Sequence, residues 1–199
     1  RTWTFTLREG VRWRDGKPLT IDDVVFSLET IFTPGVEGST KDQLRWQGKQ
    51  LRWRKLDARR IQLITPSEIC PVGLFPRLIG GLNVIPKHKL ADVLAKGAAE
   101  FNKTWGINAD GKDIVGTGPY VLQSYVPGQR VTMLRNSTYW TVDKKGNRLP
   151  YLLRYVILTV PSTDVARLKF LAGETDIYGA LAREYAELKQ QEKAGNFTI

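Results

Sequence analysis

The sequence predicts a mixed α/β fold, because strand patterns, amphipathic helix patterns and β-hairpins follow one another along the chain. Its 199 residues can bury a sizeable core, as one large domain or as two small ones. A hydrophobic content of 42% with six tryptophans argues against a disordered chain. No apolar run approaches the roughly 20 residues of a membrane helix. No charged and then apolar signal peptide precedes the first strand pattern.

The first element is a strand within residues 2–13. Trp3, Phe5 and Leu7 alternate with polar residues, which is the pattern of a half-buried strand. The alternation resumes after Gly10, at Val11 and Trp13, so we expect the strand to continue there.

A turn and a helix are predicted next. Asp15-Gly16 indicates the turn, since glycine reaches positive φ at little steric cost. Thr20 stands at the N-cap position, and Asp22 and Asp23 complement the positive end of the helix dipole. The apolar face of this helix should contain Val24, Val25, Leu28, Ile31 and Phe32.

A basic segment from Arg45 to Arg60 carries much of the net charge of +10. Its cations are Arg45, Lys49, Arg52, Arg54, Lys55, Arg59 and Arg60. This positive charge makes nucleic acid or an anionic surface a candidate partner. Apolar residues alternate with polar ones on both sides of Asp57-Ala58-Arg59, however. This pattern predicts a β-hairpin whose cations lie on a solvated face.

The middle of the chain predicts two helices separated by a short strand. The first helix begins near Pro71 and ends at Gly80-Gly81. A strand is expected at residues 83–85. Pro86-Lys87-His88 then starts a helix that extends to Phe101 with one apolar side. An exposed polar loop follows from Asn102 to Val115.

A hairpin and a strand–helix–strand unit are predicted further on. The hairpin strands lie on either side of Pro127-Gly128, whose order is typical of a type II turn. A strand at residues 155–160, a helix capped by Ser162 and a strand at residues 175–177 form a crossover, right-handed if the two strands are parallel. This helix should bury Val165, Leu168 and Leu171. A last amphipathic helix is expected at residues 181–192, with Gly195 as its C′ residue.

Few residues are suited to catalysis or metal binding. Cys70 and His88 could form a nucleophile pair, but we expect Cys70 to be a small buried hydrophobe and His88 to belong to a helix start. Structural zinc needs about four ligands, which His and Cys cannot supply here. Glu174 and Asp176 lie two positions apart and would share one face of a strand, where they could act as an acid pair. We expect them instead to stand at the end of the strand without a catalytic role. We therefore expect no enzyme, no cofactor and no metal.

Several motifs resemble those of extracellular solute-binding proteins of ABC transporters, in the oligopeptide/dipeptide-binding class known as family 5. The first motif comprises Phe5, Leu7, Arg8, Trp13, Asp15, Gly16, Pro18, Thr20, Asp23 and Val24. Later ones are Ile85–His88, Gly116–Tyr120, Arg135-Asn136 with Tyr139-Trp140, Leu149–Tyr151, and Ala172–Glu174 with Asp176-Ile177. Some members read Leu-Pro-Tyr-Leu-Asp at this last-but-one motif. This sequence departs from them, because Leu153-Arg154 stands where they have the aspartate.

The resemblance implies a partial periplasmic-binding-protein-like fold of type II. By that comparison residues 1–85 belong to the small accessory lobe, and residues 86–199 to the middle segment of the first ligand-binding lobe. The opposing lobe has no counterpart in this sequence. We therefore expect an internal fragment of a longer protein.

The resemblance also implies a role in import. Such a protein captures an extracellular solute, here expected to be an oligopeptide, and delivers it to the permease subunits of the transporter. It would be a periplasmic or extracellular monomer that meets the membrane only through the permease or a lipid anchor outside this sequence. Ligand contacts are expected at Tyr178, Gly179 and Ala180. Tyr178 could equally be an ordinary aromatic at a strand end, and Gly179 a turn into the helix.

The alternative is a basic interaction module that binds nucleic acid or an anionic surface through the hairpin. It predicts an affinity that falls steeply with salt. Because no helix-turn-helix, zinc-finger or stacking motif accompanies the charge, we expect no nucleic-acid partner.

Overall fold

The computed structural model describes residues 1–38, 40–46, 48–65, 79–106 and 108–199. The described chain falls into two compact units. The large unit is Arg1–Ser124 with Thr132–Tyr155, and the small unit is Tyr125–Val131 with Val156–Ile199. The expected division into lobes at Ile85 refers to complete proteins of the class and stays a prediction. Within the described ranges, every helix is too short or too polar to span a bilayer.

The large unit begins with an antiparallel sheet in the order β1-β5-β4. Its strands are β1 (Thr2–Thr6), β4 (Arg52–Lys55) and β5 (Arg60–Ile64). Two short strands, β2 (Arg45–Trp46) and β3 (Lys49–Gln50), pair with each other. The predicted first strand and the hairpin around Asp57 are confirmed. Alternate residues of β5, Ile61 and Leu63, are buried, as the period of a strand requires.

Helix α1 (Ile21–Phe32) packs against this sheet and completes the core of the large unit. The fully buried cluster consists of Ile21, Val24, Leu28, Leu44, Leu51, Ile61 and Leu63. Phe32 stacks on Trp53, with ring centroids 5.9 Å apart. Each buried aliphatic side chain contributes about 1.5–3 kcal/mol to the free energy of unfolding. The predicted apolar face of α1 is therefore confirmed.

Three predictions for the large unit are wrong. The first strand does not continue to Trp13, because only an isolated bridge joins Arg12 to Pro18. Residues 83–85 are not a strand, since the Ile85 N–H donates to the Ser27 hydroxyl on α1 instead of to a neighbouring strand. The helix after Pro86 does not reach Phe101, because Gly97 adopts a φ of 118° and interrupts it.

The helices of this region are α2 (Thr40–Gln43), α3 (Lys87–Ala95) and α4 (Ala98–Lys103). Helix α3 packs on α1, which places its start beside the start of α1. The helix predicted from Pro71, with Cys70 before it, falls mainly on residues 66–78 and lies outside the described residues.

A second sheet has the strand order β6-β7-β8. Its strands are β6 (Tyr120–Val126), β7 (Arg130–Arg135) and β8 (Arg154–Leu158). The predicted type II turn joins β6 to β7: Gly128 has a φ of 69°, and the Gln129 N–H donates to the Val126 carbonyl over 3.0 Å. The hairpin prediction is confirmed.

The small unit contains α5 (Thr163–Leu171), a 3-10 helix (Ala182–Glu184) and α6 (Tyr185–Gln191). The predicted cap of α5 is confirmed, since the Ser162 hydroxyl accepts the Val165 N–H over 3.2 Å. The predicted buried stripe is wrong, because no described element covers it: Leu168 is 66% exposed and Leu171 is 38% exposed.

Two further predictions for the small unit are corrected. Residues 175–177 pair with no strand among the described residues, so the expected crossover lacks its second strand. Beyond α6, the left-handed residue is Asn196, with a φ of 51°, and not Gly195.

Candidate functional site

Two of the motifs identified in the sequence, the first one and Ile85–His88, meet where α1 and α3 begin. We call Trp13, Asp15, Thr20, Asp23, Lys87 and His88 the motif junction. Its centre is the Asp23 carboxylate, whose residue is only 4% exposed. This carboxylate accepts the backbone N–H of Thr20 over 2.8 Å and that of Lys87 over 2.9 Å. The Trp13 indole N–H donates to it over 3.4 Å. Asp23 therefore joins α1 to the start of α3, beyond its predicted role at the helix dipole.

Thr20 occupies the predicted N-cap position in an extended conformation. Its hydroxyl donates to the Asp23 carboxylate over 3.2 Å, so Asp23 supplies the acceptor for this end of the helix.

Asp15 and His88 form the second connection in the motif junction. Asp15 Oδ2 lies 2.7 Å from His88 Nε2, and the Lys17 N–H also donates to this carboxylate over 3.3 Å. Partial burial opposes ionisation of Asp15, but the hydrogen bonds from His88 and Lys17 outweigh it. The pKa of Asp15 consequently lies below its ordinary value.

Arg14, which lies between two residues of the first motif, and the motif residue Arg8 make further contacts in the large unit. The Arg14 N–H donates to the Gly116 carbonyl over 3.0 Å, and its guanidinium donates to the Gly111 carbonyl over 2.8 Å. The guanidinium of Arg8 lies 4.8 Å from the centre of the Trp140 ring, a cation–π contact. These contacts indicate that the motifs fix the architecture of the large unit.

A cavity of about 490 Å³ opens beside the motif junction. Its lining mixes both signs of charge and includes Lys17, Asp22, Lys87, His88 and Asp92. Because Asp22 pairs with Lys55 over 2.5 Å and His88 with Asp15, these side chains already serve structural contacts. We assign no chemistry to this cavity.

The expected ligand-binding residues lie in the small unit. The Tyr178 hydroxyl donates to Glu184 Oε2 over 2.8 Å, and the Leu181 N–H donates to the same atom over 2.9 Å. The bond from the Leu181 N–H and that from Tyr178 hold the pKa of Glu184 below its ordinary value. The hydrogen bond to Glu184 raises the pKa of Tyr178. The Tyr178 ring is thereby anchored at its hydroxyl.

Aromatic rings surround an adjacent cavity that we call the aromatic cleft. Phe170 stacks on Tyr178 at 5.7 Å and lies tilted against Phe197 at 5.0 Å. The cleft has a volume of about 500 Å³. Its lining consists of Phe170, Gly173, Thr175, Asp176, Ile177, Tyr178 and residues 195–198. The sequence analysis did not predict Phe170 or Phe197 as residues of this site. Phe170 could have been found, because an aromatic side chain on the less apolar side of α5 indicates a contact other than the core.

Gly179 and Ala180 are exposed beside this cleft. Within the described part of the chain, their backbone N–H and C=O groups form no hydrogen bond. A Cβ added to Gly179 would meet no atom within 4 Å, so the backbone is open to close approach.

The residues weighed for catalysis are not brought together. His88 is engaged by Asp15, and Cys70 lies outside the described residues. Glu174 forms an ion pair with Lys169 over 2.5 Å, and the stretch that holds Asp176 is not a strand, so the shared strand face expected for the two acids is absent. Among the residues described, no group of three or more His, Cys, Asp and Glu side chains could hold a metal ion.

Tertiary structure supplies the basic segment with carboxylates that are distant in sequence. Lys55 pairs with Asp22, Arg59 with Glu9, and Arg60 with the local Asp57. Arg59 also donates to the Leu7 carbonyl over 2.9 Å. Exposed pairs of this kind add little stability, but they give several of the cations a structural role.

Comparisons with known proteins identify the family. The model described as "Bacterial extracellular solute-binding proteins, family 5 Middle" matches residues 1–198. A "Probable ABC transporter-binding protein" of Deinococcus radiodurans is 32% identical over 181 residues, which are 89% of this chain and 30% of that protein. The oligopeptide-binding protein OppA of Bacillus subtilis is 26% identical over 188 residues, or 90% of this chain and 32% of OppA.

The structural comparison agrees. The periplasmic binding protein MelB of Agrobacterium fabrum, solved in complex with stachyose, matches with a TM-score of 0.78 and 25% identity, over 95% of this chain and 29% of MelB. The chain thus spans about a third of the length of these relatives. The mixed α/β fold of the periplasmic-binding-protein type is confirmed over that part. This chain belongs to family 5 of the bacterial extracellular solute-binding proteins.

Proposed function

We propose that this chain is part of a protein that captures an extracellular oligopeptide and delivers it to the permease of an ABC transporter. The observation that carries the proposal is the family match over residues 1–198. The relative OppA is an oligopeptide-binding protein, which supports a peptide as the solute. The relatives are binding proteins, which supports a function without catalysis.

The proposed ligand contacts are Tyr178, Gly179 and Ala180. The backbone N–H and C=O groups of Gly179 and Ala180, which have no hydrogen-bond partner among the described residues, suit an extended peptide, because such a peptide binds by main-chain hydrogen bonds. The Tyr178 ring is held by Glu184 and Phe170, so little side-chain freedom is lost when a ligand packs against it.

The remaining parts of the proposal concern the complete protein. It acts as a monomer in the periplasm or outside the cell, and the permease subunits are its protein partners. It needs no cofactor. Because several cations of the basic segment pair with carboxylates of the large unit, that segment serves the fold and no nucleic-acid function is proposed.

Native mass spectrometry of the complete protein as purified provides the first test. We expect a retained ligand whose fragments identify a peptide. Calorimetry with that peptide then compares Tyr178→Ala with Tyr185→Ala, an exposed tyrosine of the same unit. We expect Tyr178→Ala to lose affinity about tenfold or more and the control to change by less than about twofold. An unchanged affinity for Tyr178→Ala would remove these residues from the ligand site.

An oligosaccharide is the second candidate solute. MelB was solved with stachyose, and the aromatic cleft offers ring faces on which a sugar could stack. A retained mass made of hexose units would replace the peptide by this candidate.

A further inference from the structure

The sheet β1-β5-β4 has one apolar side and one basic side. Side chains alternate between the two sides of a strand, and Trp53 and Leu63 belong to the side that packs on the core. Arg52 and Arg54, on either side of Trp53, point the other way and are exposed, as is Arg60 on the neighbouring strand. We call this outer side, with its three arginines, the basic sheet face.

The rest of the basic sheet face carries no negative charge. Its three strands contain neither Asp nor Glu. Strand β1 adds a row of exposed hydroxyl groups to it, those of Thr2, Thr4 and Thr6. Arg60 is paired with Asp57 of the adjacent turn over 2.6 Å, so its charge is partly compensated. The positive charge of this face therefore comes mainly from Arg52 and Arg54.

A row of polar side chains across the three strands orients Arg54. Its Nη2 group donates to Gln62 Oε1 over 2.7 Å, and Gln62 in turn contacts the Thr4 hydroxyl over 3.5 Å. A guanidinium group has five N–H donors, so most of them stay available after this bond. Arg52 stands next to this row, opposite Ile64.

We propose that the basic sheet face binds anionic phospholipid headgroups at the surface of the membrane that holds the permease. Guanidinium groups bind phosphate through paired, charge-assisted hydrogen bonds, and hydroxyl groups donate to phosphate oxygens as well. The outer side of a sheet is broad and suits a planar partner, whereas a small anion is bound in a concave site. The inference rests on the proposed function for its location beside that membrane. It adds a direct contact to the one made through the permease.

Vesicle flotation of the complete protein, prepared without lipid modification, tests this contact. The probes are vesicles of phosphatidylcholine alone and vesicles that also contain about 30% phosphatidylglycerol, at about 50 mM and about 200 mM salt. The test variant combines Arg52→Gln with Arg54→Gln. The matched control combines Lys144→Gln with Lys145→Gln, which removes two positive charges from an exposed loop of the same unit.

We expect wild type to partition onto the anionic vesicles at least about tenfold more strongly than onto the neutral ones at the lower salt concentration. The preference should shrink at the higher concentration, because salt screens exposed charges. The two arginine substitutions should lower partition onto anionic vesicles about tenfold, and the lysine control should lower it less than about twofold. Melting temperatures should be unchanged in both variants.

Three results overturn the inference: no binding to anionic vesicles, equal binding to both kinds of vesicle, or equal losses in the arginine and lysine variants. A double-stranded DNA oligonucleotide is tested in parallel. If the arginine variant loses DNA binding and keeps vesicle binding, the face belongs to nucleic acid and the inference is again overturned. Solute affinity, measured by calorimetry on the same preparations, tests the proposed function separately, so a failure to bind vesicles leaves that function intact.

Discussion

The motif junction and the aromatic cleft use similar residue types in opposite ways. At the junction, Asp23 is buried and accepts hydrogen bonds from three neighbouring residues, so its carboxylate has no capacity left for a ligand. In the cleft, Asp176 is exposed, and beside it the backbone groups of Gly179 and Ala180 form no hydrogen bond with any residue that the structure describes. The motif residues at the junction therefore build the architecture, whereas the motif residues Asp176 and Ile177 line a cavity.

The largest expected effect is the loss of the Asp23 carboxylate. Asp23→Ala leaves the Trp13 indole and two backbone N–H groups without their buried acceptor. We expect the free energy of unfolding of the complete protein to fall by about 3 kcal/mol or more, measured by denaturant titration. The neighbouring Asp22→Ala, which removes an exposed ion pair, should cost less than about 1 kcal/mol. Equal losses in the two variants would show that burial does not distinguish these residues.

Phe170→Ala tests whether the aromatic cleft, in contrast to the motif junction, affects solute affinity more than stability. It removes the ring that contacts both Tyr178 and Phe197, so we expect solute affinity to fall about tenfold while stability changes by about 1–2 kcal/mol. Leu168→Ala on the same helix, at a 66% exposed position, should change neither quantity appreciably. Affinity that is retained in Phe170→Ala would separate the ring cluster from ligand binding.

Acid pH should weaken a third region, the loop held by Asp143. The hydrogen bonds from the Asn147 side chain and then from the Tyr151 hydroxyl lower the pKa of Asp143 to about 2. A carboxyl whose pKa is depressed in the folded state stabilises the fold above its unfolded pKa of about 3.9. That contribution is lost as the pH falls toward 2. After correction for the intrinsic exchange rate, hydrogen exchange across this loop should therefore accelerate between about pH 4 and pH 2 in wild type.

Asp143→Asn provides the comparison for the acid effect. Because the amide does not titrate in this range, exchange in the variant should depend less on pH after correction for the intrinsic exchange rate. Identical slopes in the two proteins would rule out Asp143 as the source.

The smallest effect is expected from the basic segment. Arg52→Gln combined with Arg54→Gln removes two cations from the exposed face of β4. Solute affinity should stay within about twofold, measured by calorimetry, because these residues lie in the large unit and the aromatic cleft belongs to the small one. A greater loss would extend the ligand site to the hairpin.

Local rules accounted for much of the fold. Helix α1, the hairpin around Asp57 and the turn at Pro127-Gly128 were predicted correctly, because side-chain periodicity and turn chemistry act over a few residues. The same rules were wrong for the buried stripe of α5. The spacing of Leu168 and Leu171 defines an apolar face, but burial requires a covering element that spacing does not reveal.

The sequence by itself determined the family, the mixed α/β class and most of the helices and hairpins, since these depend on motifs and on neighbours close in the chain. Tertiary structure decided what the motif residues do. Asp23 meets Lys87 across 64 positions, and Asp15 meets His88 across 73. It also brought Phe197 against Phe170, across 27 positions, so that both line the cavity with Tyr178 and Asp176. Such contacts depend on how distant segments pack, and no local pattern encodes them.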